Sequence, residues 1–154
     1  MKKIKIFIAK EAVFDDVSLN SEYAGLKSPS ESPIYDRVAT VSEDSQLLSG
    51  FLTLAFGELI RKLRSFVVSS SCDGASVSLD LEVSGAYDES MTPSLKEDIF
   101  RWLVTNVSGH WFRLTLPDRT AEWENLSAEL LASIESKLCA RRKPSRTNLN
   151  SSKS

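Results

Sequence analysis

Residues 76–83 read Ser-Val-Ser-Leu-Asp-Leu-Glu-Val. Apolar and polar side chains alternate through the stretch, the period of a strand with one face buried and one wet. Asp73-Gly74, just before it, is a turn signal. The residues before that turn, Phe66-Val67-Val68-Ser69, have two readings. They form the first arm of a hairpin closed over Cys72–Ala75, or they end the preceding helix, and the second reading is favoured. A further strand stands at the start of the chain, where Ile4, Ile6 and Ile8 alternate with Lys3, Lys5 and Phe7. Its outward lysines mark it as an edge strand.

Between these strands lies a long helical pattern, from about Glu43 to Val67, with Ser42 as N-cap. Leu48, Leu52, Phe56, Leu59, Leu63 and Phe66 recur at helical spacing, and Leu47, Phe51, Leu54 and Ile60 widen the apolar sector beyond one stripe. Such a helix must be covered on two sides, by its own chain or by neighbouring subunits. Gly50 and Gly57 lie seven apart and share a face. Each costs up to about 1 kcal/mol against alanine in a helix interior, a cost that close approach of another element would offset. Gly50, Phe51, Leu54 and Gly57 are therefore the candidate oligomer interface.

Thr92-Pro93-Ser94 opens a second helix, with proline preorganised for the first turn, carrying Leu95, Ile99, Trp102, Leu103, Val107 and Trp111. A third runs from near Asp118 to about Arg142 on Trp123, Leu126, Leu130, Leu131, Ile134 and Leu138, and Pro144 ends it. Residues 15–41 read as a long polar loop with Gly25, Pro29 and Pro33. The expected fold is α+β and mostly helical: three main helices and a small two- or three-stranded β element. It forms one domain over residues 1–142, followed by a basic, Ser/Asn-rich tail over 143–154.

Composition narrows the function. The chain has 154 residues, 42% apolar and 26% charged, as expected of one globular domain. One histidine and two distant cysteines, Cys72 and Cys139, do not make a Cys/His zinc site within one chain. No apolar run approaches the ~20 residues of a membrane span, and the Ile4–Ala9 run is too short for a signal-peptide core. No HExxH, phosphate loop or GxSxG elbow occurs. His110 is the sole imidazole, and the run Ser69-Ser70-Ser71-Cys72-Asp73 has no identifiable partner base. A cytosolic, thiol-reduced protein without enzymatic activity, cofactor, metal or small-molecule substrate is expected.

The net charge of −2 hides an asymmetry. Residues 1–136 carry 13 basic and 21 acidic groups, a net of −8, while residues 137–154 carry six basic groups and no acid. Arg141, Arg142, Lys143 and Arg146 are the candidate contacts to a partner or to nucleic acid. An acidic body is the wrong sign for tracking phosphates, so a protein partner is the stronger expectation and DNA the weaker.

Several short segments carry a likeness. Lys3-Ile4-Lys5-Ile6, Tyr23-Ala24-Gly25-Leu26-Lys27, Tyr35-Asp36-Arg37-Val38 with Ser42-Glu43-Asp44, and Arg141-Arg142-Lys143-Pro144 resemble small structural proteins of tailed phages and prophages of gut bacteria. The element order, and Pro93-Ser94-Leu95-Lys96-Glu97-Asp98-Ile99 in particular, is similar to the head–tail connector adaptors of such phages. The resemblance implies a neck subunit, located in the virion and in the host cytoplasm during assembly. It would form a ring around a DNA channel and dock on portal and tail proteins through its C-terminal segment. The strong first strand and the loop before the first long helix depart from the adaptor pattern and also fit a tail-completion protein. A cytosolic interaction or DNA-associated accessory protein using the same basic tail is the remaining alternative. On this reading, removing residues 140–154 leaves the fold intact and weakens docking.

Overall fold

A computed structural model describes residues 1–26 and 44–144. The strand that opened the sequence reading organises a three-stranded antiparallel sheet. β1 (Lys2–Ala9), β2 (Val67–Cys72) and β3 (Ser76–Val83) lie in the order β1-β3-β2, with β3 in the centre. The β1–β3 register pairs Ile4 with Leu81, Ile6 with Leu79 and Ile8 with Val77. All six are buried on one face, where the helices pack. The opposite face pairs Lys3 with Glu82 and Lys5 with Asp80, the cross-strand charge matching that suits a wet surface.

There are four helices among the described residues: α1 (Lys10–Leu26), α2 (Ser45–Lys62), α3 (Thr92–Thr115) and α4 (Thr120–Leu138); the first three meet the sheet and α4 packs on α3. The expected α+β, mostly helical class holds: the sheet has three strands, within the two or three expected, and there are four helices where three were expected. Helix α3 is central and packs against α1, α2 and α4. Leu95, Ile99, Trp102, Leu103, Val104, Val107, Trp111 and Phe112 bury most of its circumference. Polar ties fix the neighbours. Asn20 Nδ2 donates to Ser108 Oγ (3.3 Å) from α1, and Asn106 Nδ2 donates to Ser127 Oγ (2.9 Å) on α4. Asp98 accepts from Ser133 Oγ (2.7 Å) and from the Lys137 ammonium. Burial raises the Asp98 pKa, but those two donors outweigh it and hold the carboxyl below its ordinary value.

Three expectations need correction. The long loop placed over 15–41 begins as helix: α1 runs through Leu26 directly from the end of β1. Its buried side is a narrow line of Val13, Val17, Ser21 and Ala24, too small and too polar to read as an apolar stripe. Residues 27–41 of that loop, the Ser42 cap with Glu43, and the Tyr35-Asp36-Arg37-Val38 segment lie outside the described residues.

The helix favoured to continue through residues 66–69 stops at Lys62. Leu63, fully buried, closes it through its N–H to Leu59 O (2.9 Å), and the hairpin arm follows. Two adjacent valines and a serine run favour extended backbone over helix. Asp73 closes the hairpin, accepting at one oxygen from the N–H groups of Ala75 and Ser76 (both 2.8 Å). Those two backbone donors are the main reason its pKa is lowered.

The third correction concerns the C-terminal end. Helix α4 ends at Leu138 rather than near Arg142. The chain then turns back along the loop after β3. Arg141 bridges Tyr87 in antiparallel fashion, Arg142 N donates to Ala86 O (2.8 Å), and Asp88 N donates to Ala140 O (3.0 Å). Residues 140–142 are thus stitched to the body over a buried Tyr87. A chain ending at Cys139 should lose about 1–3 kcal/mol in urea unfolding, since three backbone hydrogen bonds at roughly 1 kcal/mol each disappear, from Ala140 N, Arg142 N and Asp88 N. A chain ending at Lys143 should keep the wild-type midpoint.

Candidate assembly surfaces

Helix α2 buries Leu48, Leu52, Ala55, Phe56 and Leu59 against its own chain. Its other side stays open. Leu54 is 62% exposed and Leu47 43%, and Gly50 and Gly57 are exposed beside them. The four positions repeat every three or four residues and so form one stripe. A Cβ built at Gly50 or at Gly57 would meet nothing within 4 Å. No element of this chain's described residues comes close enough to require glycine there. Of the interface residues read from sequence, Gly50, Leu54 and Gly57 share this outward stripe. Phe51 does not: it is half-buried, turned toward α3, and stacked on His110 with ring centroids 5.3 Å apart.

His110 lines a cleft of about 390 Å³ between α2, α3 and α4, with Glu58, Lys62, Arg113, Trp123 and Glu124 among its walls. Arg113 Nη2 donates to Glu124 Oε1 (3.2 Å) across the mouth, and Glu58 and Lys62 pair at 4.0 Å. The charges therefore answer one another within the cleft. Burial lowers the His110 pKa, Arg113 lowers it further, and Glu58 opposes them. Trp102 also lines the cleft, and its buried Nε1 has no acceptor among the described residues. Also among the described residues, no group of three His, Cys, Asp or Glu side chains is arranged to hold a metal ion. Nor is any helix among them long and apolar enough to cross a membrane.

The basic residues divide. Arg141 and Arg142 belong to the stitched segment, yet their side chains and that of Lys143 are exposed. Arg146 lies outside the described residues. Sequence reading missed how this segment sits. Lys2, from the other end of the chain, donates to Tyr87 O (3.4 Å) and pairs with Glu89 (3.3 Å), so it touches the residue that Arg141 bridges. Hydrogen bonds from Ser90 lower the Asp88 pKa, and the charges of Arg142 and Lys2 lower it further. Lys-rich β1 was legible as an edge; its meeting with a segment some 140 residues away was not.

Compared with family models, with curated proteins and with solved structures, the chain finds no match.

Two outcomes test these surfaces. Gly50→Ala and Gly57→Ala should each stabilise the isolated chain by up to about 1 kcal/mol in urea unfolding, because a methyl fits and helix propensity improves. The same changes should weaken self-association if a neighbour's backbone lies on the stripe. For His110 the sign follows from a folded pKa below the unfolded 6.5. Its contribution to stability is whole above the unfolded value and is lost as pH falls through the folded one. Urea midpoints of the wild type should therefore drop as the pH falls from about 6.5 through the folded pKa, and His110→Asn should remove that part of the drop.

Proposed function

We propose that this chain is a non-enzymatic structural subunit of a tailed-phage virion, a head–tail connector of the neck. It closes into a ring between portal and tail and docks on its neighbours through its basic C-terminal segment. One observation carries the reading: the outward stripe of α2, Leu47, Gly50, Leu54 and Gly57, which nothing in the described residues covers. Exposed leucines set between glycines cost solubility and helix stability in a lone subunit. Both costs are offset when a neighbouring copy lies against them.

The sheet supports the same reading. Its order leaves β1 and β2 as edges, and β2 is exposed along nearly its whole length beyond the helices. An edge of this kind presents unpaired backbone donors and acceptors with which another chain can pair. In a ring, weak contacts of each type repeat around the circle and gain strength through effective concentration. A tail-completion protein would use the same surfaces at another level of the neck.

The purified full chain should form large, discrete, salt-insensitive oligomers in mass photometry. Leu54→Glu should leave the melting curve unchanged and yield monomers, because Leu54 touches little of its own chain. Salt-sensitive DNA binding by a chain that stays monomeric would favour the accessory-protein reading instead.

A further inference from the structure

The start of β1 and the segment 140–142 meet around Tyr87. Beside β1 runs a depression of about 280 Å³ lined by Lys2, Lys3, Ile4 and Lys5 on one side and by Tyr87, Glu89, Thr92 and Lys96 on the other. No β3 residue lines it, so it lies along the edge of β1 that β3 leaves unpaired. Four lysines and one carboxylate line it, with Glu89 paired with Lys2; Lys3 and Lys5 stand opposite Glu82 and Asp80 of β3, which leaves Lys96 as the lysine without a carboxylate set against it here. The stitched segment brings Arg141 and Arg142 to the same end, with Arg141 bridging Tyr87. Among the described residues, no backbone hydrogen bond beyond the sheet ladder reaches Lys2–Ala9.

We propose that this edge receives an acidic, extended segment of a partner protein as a fourth strand. Its backbone would pair with β1, and its acidic side chains would meet Lys3, Lys5 and Lys96. The partner being a protein rests on the assembly reading above. The chemistry of the edge selects the occupant. A second copy of β1 would set lysine against lysine, where like charges destabilise. The other open edge, β2 (Val67–Cys72), carries no charged residue and offers these cations no complement. Strand addition explains what a basic patch alone does not: the cations of Lys2, Lys3 and Lys5 lie on the first half of an eight-residue strand whose outer edge has no strand beside it.

The test uses the full chain, a short peptide alternating Glu and Val, the same peptide interrupted by proline, and a DNA duplex. The Glu–Val peptide should bind, and amide exchange should slow at every second residue across Lys2–Ala9, the pattern of a newly paired edge. The triple variant Lys3→Thr, Lys5→Thr, Lys96→Ala should weaken binding about tenfold, as the loss of three partly exposed cations implies, with an unchanged melting curve. The proline-interrupted peptide should bind about tenfold more weakly than the parent. Tighter binding of the duplex through the same lysines would overturn the proposal in favour of a nucleic-acid surface. Peptide binding without β1 protection, or no peptide binding, would also overturn it. The α2 stripe is untouched throughout, so a chain that takes the peptide yet never self-associates defeats the connector reading alone.

Discussion

The structure depends on one helix that cannot stand in water. Helix α3 buries Trp102, Leu103, Val107 and Phe112 on several sides, so its stability comes from being surrounded. Helices α1, α2 and α4 and the sheet's apolar face supply that cover. Each covering helix spends one face on α3 and keeps another free. The free faces differ in kind: glycine and leucine on α2, cations at the two chain ends. Function, on this account, is carried by what the cover leaves outside.

That division explains what the sequence could tell. Residues 76–83 and 2–9 were legible because each strand buries one face and the period of two is unbroken. The Pro-led helix was legible because its apolar residues surround it. Helix α1 was hidden because a line of Val13, Val17, Ser21 and Ala24 is enough to pack against α3 but too slight to register as a stripe. The hairpin was a near-even choice from sequence, since Phe66 and Val67 continue the preceding helical spacing. Burial of Leu63 and the Asp73 turn decided it.

The surfaces were legible in part. Seven-residue spacing put Gly50 and Gly57 together, and the structure leaves both open, with Leu54 beside them. Phe51 was drawn into the same set because it is apolar and adjacent, but its ring turns inward to His110. The opposite charges of body and tail were plain from counting. Their geometry was not, because the bridge from Arg141 to Tyr87 depends on where α4 ends relative to β3. Beside the acidic body and the basic arm stands a basic edge formed by Lys2, Lys3 and Lys5 of β1 with Lys96 of α3.

The central claim is that the open stripe of α2 is a subunit interface. Electron microscopy of the purified full-length chain tests it most directly. The account predicts closed rings in which the Leu47–Gly57 face of each subunit is covered by the next. Dispersed monomers, or rings whose subunits leave that face in solvent, would contradict it.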